Sequence, residues 1–251
     1  MFDFKGKRVI VTGGSRGIGR AIAFGFAKCG ASVSICARQA GALEATRAAL
    51  AELGAVHAAV CDLSDAAAIT EYVAQAAEAL GGIDILVNNA SGFGRADDEA
   101  GWLTAFSVDM MSVVRASHAA EPWLARATPH GIIVNIGSIT AYRPSLKAPA
   151  YGAMKAAIKY HTATQAALLA GKNIRVNSVA PGAVTAPGHF WEARKANNDQ
   201  AYLDTVAQIP AGRLGEADEI ADVVLFMAAQ QSRWVYGQTI YVDGGQTLFG
   251  G

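Results

Sequence analysis

Short apolar runs that alternate with longer stretches rich in alanine and leucine constrain this chain more than any other feature. The runs are Arg8–Thr12, Ser32–Ala37, Ala55–Cys61, Ile83–Asn88, Gly131–Ile136, Ile174–Ala180 and Thr239–Asp243. Most are apolar without interruption, the pattern of strands buried on both faces. Ile18–Cys29, Gly41–Leu53, Asp65–Leu80, Trp102–Leu124, Tyr151–Ala170 and Ala217–Ala229 lie between them with helical periodicity. Repeated strand–helix alternation predicts a parallel sheet with helices on both faces. Right-handed crossovers make a doubly wound α/β sheet of about seven strands the leading topology. No linker, repeat or low-complexity segment divides residues 1–251, so one domain is expected.

The first run leads into Gly13-Gly14-Ser15-Arg16-Gly17-Ile18-Gly19, and a helical stretch follows. Glycines permit the tight turn and let backbone N–H groups approach a pyrophosphate, which then faces a helix N-terminus. This placement predicts a Rossmann-type dinucleotide site. At the end of the second run an acidic residue would bind the ribose diol of NAD. Ala37 stands there instead, followed by Arg38, and Arg16 lies inside the glycine turn. Two cations and no acid favour the 2′-phosphate of NADP(H).

Chemistry is suggested by Tyr151 and Lys155, four residues apart on a predicted helix, with Ser138 upstream at the end of the fifth run. Residues at this spacing share a helix face. Free tyrosine titrates near ~10, and a fixed positive charge close by favours the phenolate. A serine hydroxyl aimed at the same space could hold a carbonyl oxygen. Together these parts suit proton transfer on an alcohol or ketone oxygen.

Composition narrows the remaining classes. The formal net charge is zero, with no basic stripe, which argues against a nucleic-acid partner. No apolar run approaches the ~20 residues of a membrane span, and the N-terminus lacks the apolar core of a signal peptide. Cys29, Cys36 and Cys61 have no metal-like spacing and read as reduced packing residues in a cytoplasmic protein. Hydrophobic residues make up 52 % of the chain and charged residues 17 %, a balance that favours buried subunit interfaces. Residues 185–212 interrupt the alternation and carry Phe190, Trp191 and Tyr202, as a lid or substrate-binding loop would.

Thr12–Gly19, Asn88-Asn89-Ala90, Ser138, Tyr151-x-x-x-Lys155 and Pro181-Gly182, in this order, give the chain a resemblance to the short-chain dehydrogenase/reductase family. The resemblance runs to Asp243-Gly244-Gly245 and is closest to ketoacyl-reductase-type members. It implies that Tyr151 is the acid in reduction and the base in oxidation, that Lys155 assists it and holds the nicotinamide ribose, and that Ser138 orients the carbonyl. It implies cofactor contacts from Gly13, Ser15, Arg16, Gly17, Ile18, Gly19 and Arg38. Asp62 and Leu63 would lie near the adenine, although Asp62 could equally cap the following helix. Asn88, Asn89 and Ala90 would line the cofactor beyond the fourth strand. Pro181, Gly182, Val184 and Thr185 would cover the nicotinamide end, and Phe93, Phe190 and Trp191 would meet substrate. A homotetramer is also implied.

The chain departs from the family pattern twice. Ser91 replaces the glycine that usually follows Asn-Asn-Ala, so a left-handed turn is expected one residue later, at Gly92. Asp109 stands where an asparagine usually helps hold a water beside the catalytic lysine. A carboxylate there could oppose the effect of Lys155 on Tyr151; if the backbone carbonyl carries the role, Asp serves nearly as well. The expected function is reduction of a ketone or 3-oxoacyl substrate by NADPH, reversible as alcohol oxidation. A cyclic or steroid-like ketone is an alternative substrate, and a catalytically weak NADP-binding sensor an alternative role.

Overall fold

The computed structural model describes residues 2–186 and 190–248. Strands β1 (Arg8–Thr12), β2 (Ser32–Ala37), β3 (Val56–Val60), β4 (Ile85–Asn88), β5 (Gly131–Ile136) and β6 (Ile174–Pro181) follow the predicted runs to within two residues. A short parallel pair comes next, β7 (Val184–Thr185) with β8 (Gly215–Glu216), and β9 (Thr239–Val242) ends the series. The main sheet has seven strands in the order β3-β2-β1-β4-β5-β6-β9, all parallel. Strand order reverses between β1 and β4, so a crevice opens at their C-terminal ends, where ligands of such sheets bind.

Alternation along the strands builds two cores, because successive side chains point to opposite faces. Val9 and Val11 pack with Ile22 and Phe26 of α1 (Gly17–Lys28) and with Val224 and Leu225 of α9 (Ala217–Ala228). Gly25 lets these two helices meet closely: a Cβ there would lie 3.1 Å from Leu225 Cδ1. Ile10 faces the other way, with Ile69 and Tyr72 of α3 (Ala66–Leu80) and Leu124 at the end of α5 (Ser112–Leu124). Asp65 caps α3 by accepting from the N–H groups of Ala67 and Ala68, and left-handed Gly81 (φ 77°) ends it. The cap is therefore Asp65, not Asp62.

The structure differs from the expected pattern in two further places. The stretch predicted as one helix over 102–124 is α4 (Glu99–Thr104), a π-helical turn (Ala105–Met111) and α5. Residues 185–212 are not a plain loop: they hold α7 (Phe190–Ala196) and α8 (Gln200–Ala207), and the β7–β8 pair joins their two ends. The remaining helices are α2 (Ala40–Ala51) and α6 (Pro149–Leu169). No helix among the described residues is long and apolar enough to cross a membrane.

Candidate active site

The glycine turn after β1 is shaped by close approach. A Cβ on Gly14 would lie 2.4 Å from Ile35 Cγ2, and one on Gly19 would lie 2.3 Å from both Asn89 Nδ2 and Gly13 O. Gly13 and Gly17 are left-handed (φ 68° and 58°), which favours glycine. Nothing lies within 4 Å of where a Gly17 Cβ would sit, so the backbone there is open to a phosphate at the N-terminus of α1. Ser15 contributes its carbonyl, which accepts from Thr46 Oγ1 at 2.8 Å and ties the turn to α2. Ile18 is half-buried.

Asn89 belongs to this turn rather than to an open cofactor wall. Its Nδ2 donates to Thr12 O (2.9 Å) and Gly13 O (3.1 Å), and its backbone N donates to Thr12 Oγ1 (3.0 Å). Ala90 packs over Gly13. Asn88 points into the core, donating to Asn135 Oδ1 (2.9 Å) and Ser117 Oγ (3.2 Å), and Asn135 continues to Thr162 Oγ1 (3.0 Å). That buried chain joins β4, β5, α5 and α6, so the side chain of Asn88 does not line the crevice as the resemblance implied.

At the adenosine end, Arg16 and Arg38 are both exposed. Among the described residues neither is ion-paired with a carboxylate. Asp62 Oδ1 accepts from the backbone N (2.9 Å) and the hydroxyl (2.8 Å) of Ser64. The Ser64 N–H, its hydroxyl and then the charge of Arg38 hold the Asp62 carboxyl below the usual carboxylate range. Leu63 is buried beside it.

The candidate catalytic groups Ser138, Tyr151 and Lys155 lie at the C-terminal end of β5 and on α6. Ser138 follows β5 in extended backbone, and its Oγ accepts from Thr140 N at 3.2 Å, capping the short turn Ile139–Ala141. The first turn of α6 packs on this turn, where a Cβ on Gly152 would lie 3.5 Å from Thr140 O. Tyr151 and Lys155 lie one turn apart on α6. Tyr151 is half-buried, and Lys155 Nζ lies 5.4 Å from its ring centroid. Lys155 is buried; its Nζ donates to Ile136 O at 3.0 Å and lies 3.3 Å from Asp109 Oδ1. The contact with Asp109 is an ion pair, not a well-directed hydrogen bond. Asp109 is wholly buried within the π-helical turn, and its Oδ2 accepts from Gly92 N at 3.1 Å. Insertions of this kind widen a helix locally and re-aim a side chain at a site.

The loop after β4 corrects the expected turn. Neither Gly92 nor Gly94 is left-handed; Phe93 is, at φ 49°. The two glycines serve close approach instead. A Cβ on Gly94 would lie 2.2 Å from Gly101 O, and one on Gly92 would lie 2.9 Å from Thr104 Cγ2. Phe93 is 53 % exposed and stacks on Tyr151, with centroids 5.8 Å apart and planes 16° from parallel. Trp191 packs edge-on against Tyr202 within the 185–212 segment (6.4 Å, 61°). The side chain of Phe190 lies outside the described residues. Pro181 ends β6, Gly182 follows, and Val184 and Thr185 form β7.

Sequence reasoning missed several partners: Ile136 O, Gly92 N, and Gln246, in the turn after β9, with Arg143. Backbone groups carry no side-chain signature. Gln246 and Arg143 meet from 103 residues apart.

The family model that matches this chain is described as enoyl-(acyl carrier protein) reductase and covers residues 13–247. Glucose 1-dehydrogenase of Gluconobacter oxydans (strain 621H) is 37 % identical over 98 % of this chain and 94 % of its own. The 3-oxoacyl-[acyl-carrier-protein] reductase of Vibrio cholerae is 33 % identical, over 98 % and 99 %. A short chain dehydrogenase of Burkholderia cenocepacia, solved in complex with NADP, superposes with a TM-score of 0.87 at 32 % identity, covering 97 % of this chain and 99 % of its own. This chain belongs to the short-chain dehydrogenase/reductase family. It is an oxidoreductase of alcohol and carbonyl groups that uses a nicotinamide cofactor. The glycine turn fits such a cofactor: its backbone is open at Gly17 and its shape is fixed from behind by Asn89.

Proposed function

We propose that this short-chain dehydrogenase/reductase is an NADPH-dependent ketone reductase that runs in reverse as an alcohol dehydrogenase. The observation that carries the choice of NADP is the pair Arg16 and Arg38. Both are exposed and free of carboxylate ion pairs among the described residues, and Ala37 stands where an acid would select NAD. In this reading both guanidinium groups hold the 2′-phosphate, and the N–H groups of the glycine turn hold the pyrophosphate.

The bound cofactor supplies the hydride in reduction and accepts it in oxidation. Ser138 Oγ holds the carbonyl oxygen. Tyr151 gives its phenolic proton to that oxygen during reduction and takes the alcohol proton during oxidation. Lys155, fixed by Ile136 O and Asp109, stays on the Tyr151 side of α6. Closure of residues 185–212 would exclude water.

A ketone or a 3-oxoacyl group fits this chemistry. A flat cyclic or steroid-like ketone is a second reading, supported by Phe93, which is half-exposed and already stacked on Tyr151. A cytoplasmic homotetramer is part of the same proposal. Leu103, Phe106, Tyr160 and Leu168 are exposed on α4, the π-helical turn and α6, an apolar surface that subunit contact would cover.

The decisive experiment follows NADPH oxidation with a panel of ketones in the parent and in Tyr151→Phe. Turnover is expected to fall about 10²–10⁴-fold while NADPH affinity is kept. Near-normal turnover in Tyr151→Phe would remove the assignment. Arg38→Asp is expected to shift cofactor preference towards NADH, and an unchanged preference would refute the NADP reading.

A further inference from the structure

The turn after β9 meets three segments at once: the start of β7, the far end of residues 185–212 and the loop after Ser138. Asp243 shapes it: Oδ1 accepts from Gly245 N (2.9 Å) and Oδ2 from Thr247 N (2.8 Å). Gln246 lies inside the turn, 7 % exposed. Its Oε1 accepts from Ala183 N at 2.9 Å, just before β7 and the start of the 185–212 segment. The close fit leaves no room at Gly182, where a Cβ would lie 2.8 Å from that same Oε1. The far end of the segment is held by the same turn: Ala211 N donates to Gly244 O at 3.1 Å, and a Cβ on Gly245 would lie 3.0 Å from Pro210 Cγ. Arg143, in the loop after Ser138, donates to Gln246 O.

A buried carboxamide that bonds the first foot of a cover, in a turn that bonds the second foot and the serine loop, fixes their relative positions. We propose that Gln246 is a positioning residue for the reaction, acting through the backbone of Ala183 to set how residues 185–212 close over the carbonyl. The proposal rests on the reading of 185–212 as the cover of the carbonyl site. Gln246 touches no reacting atom in this account. Its effect falls on substrate capture, because the bond it makes holds the hinge of the cover and not the phenol or the ammonium.

The test compares the parent, Gln246→Ala and Gln246→Glu by hydrogen–deuterium exchange, thermal unfolding and steady-state reduction of a converted ketone with NADPH. Gln246→Ala removes the acceptor of the half-buried Ala183 N–H. Exchange is expected to speed up in peptides spanning 181–186 and 205–212. kcat/KM should fall about tenfold, with KM for the ketone rising more than kcat falls. The thermal midpoint should stay within about 4 °C. Gln246→Glu keeps an oxygen acceptor and should recover most of kcat/KM and of the exchange protection. Unchanged exchange at 181–186 together with unchanged kinetics would overturn the proposal. So would a uniform rise in exchange over the whole chain with a matching fall in midpoint, since that marks a merely structural role. The exchange arm needs no substrate. A parent chain that reduces no ketone would therefore count against the proposed function and leave the hinge to be judged by exchange alone.

Discussion

Replacing Asp109 by asparagine separates charge from shape at the centre of the site. Its Oδ1 lies 3.3 Å from Lys155 Nζ, and the two side chains are 0 % and 3 % exposed. At that distance and an effective dielectric of ~20, the attraction is about 5 kcal/mol. Desolvation costs several kcal/mol per ion and cancels most of it. The pair as a unit is therefore close to neutral for stability, yet each charge depends on the other. Removing one partner from a buried pair costs about 3–5 kcal/mol. Lys155→Met should lose that much in urea unfolding. Asp109→Asn should lose less, about 2–3 kcal/mol, because a carboxamide oxygen still accepts from Gly92 N. The double variant leaves no buried charge uncompensated and should be more stable than the sum of the single losses implies, by about 2 kcal/mol or more.

The same carboxylate opposes the field of the ammonium at Tyr151. Without it, turnover for alcohol oxidation should change, because the ammonium 5.4 Å from the Tyr151 ring then acts without an opposing charge. Additive stability losses, within about 0.5 kcal/mol, together with unchanged turnover, would refute this reasoning. The backbone of the π-helical turn, and not the carboxylate, would then carry the role of position 109.

Three other perturbations test separate parts of the structure. Phe93→Gly relieves a left-handed backbone at φ 49°; stability should hold or rise by up to about 1 kcal/mol in urea unfolding, while KM for the ketone rises with loss of the ring on Tyr151. Arg175 is buried in β6, burial lowers its pKa, and it donates to Met227 O (3.0 Å) and Ser232 O (3.1 Å) at the end of α9. Arg175→Met should cost about 3 kcal/mol by urea midpoint, and Arg175→Lys should not rescue it, because an ammonium cannot fan across these carbonyls. Glu219, bonded to Arg213 and to Glu216 N, has its carboxyl pulled down from the usual carboxylate range to about 2. A depressed carboxyl stabilises fully above its unfolded value, and the contribution fades as pH falls towards the folded one. The urea midpoint of Glu219→Gln should therefore sit below the parent's at pH 7 and converge with it as the pH falls towards about 2; a constant gap would refute the linkage.

The sheet was legible because both faces of each strand are buried, so Val9, Ile10 and Val11 need no alternation to be recognised. The adjacency of Tyr151 and Lys155 was legible because side-chain chemistry and helical spacing coincide. What escaped depended on distant partners. Helical periodicity runs unbroken through 102–124, and the π-helical turn coincides with the burial of Asp109 between Lys155 and Gly92. Gly92 looked like the provider of a left-handed turn, yet it and Gly94 let the loop touch α4. A two-residue pair such as β7–β8 is too short to leave a pattern.

Positions 89 and 109 show why an amide and a carboxylate are not interchangeable here. The Asn89 side chain faces two carbonyl oxygens, Thr12 O and Gly13 O. Only donors satisfy them, so a carboxylate there would meet acceptors alone and push the glycine turn apart. Asp109 has the opposite surroundings: Gly92 N–H and the Lys155 ammonium are both donors. A carboxylate satisfies them with both oxygens, whereas an amide would turn one NH₂ towards a donor. A carboxylate at 109 is thus consistent with its neighbours, and what it adds to the site is a negative charge 3.3 Å from the Lys155 ammonium.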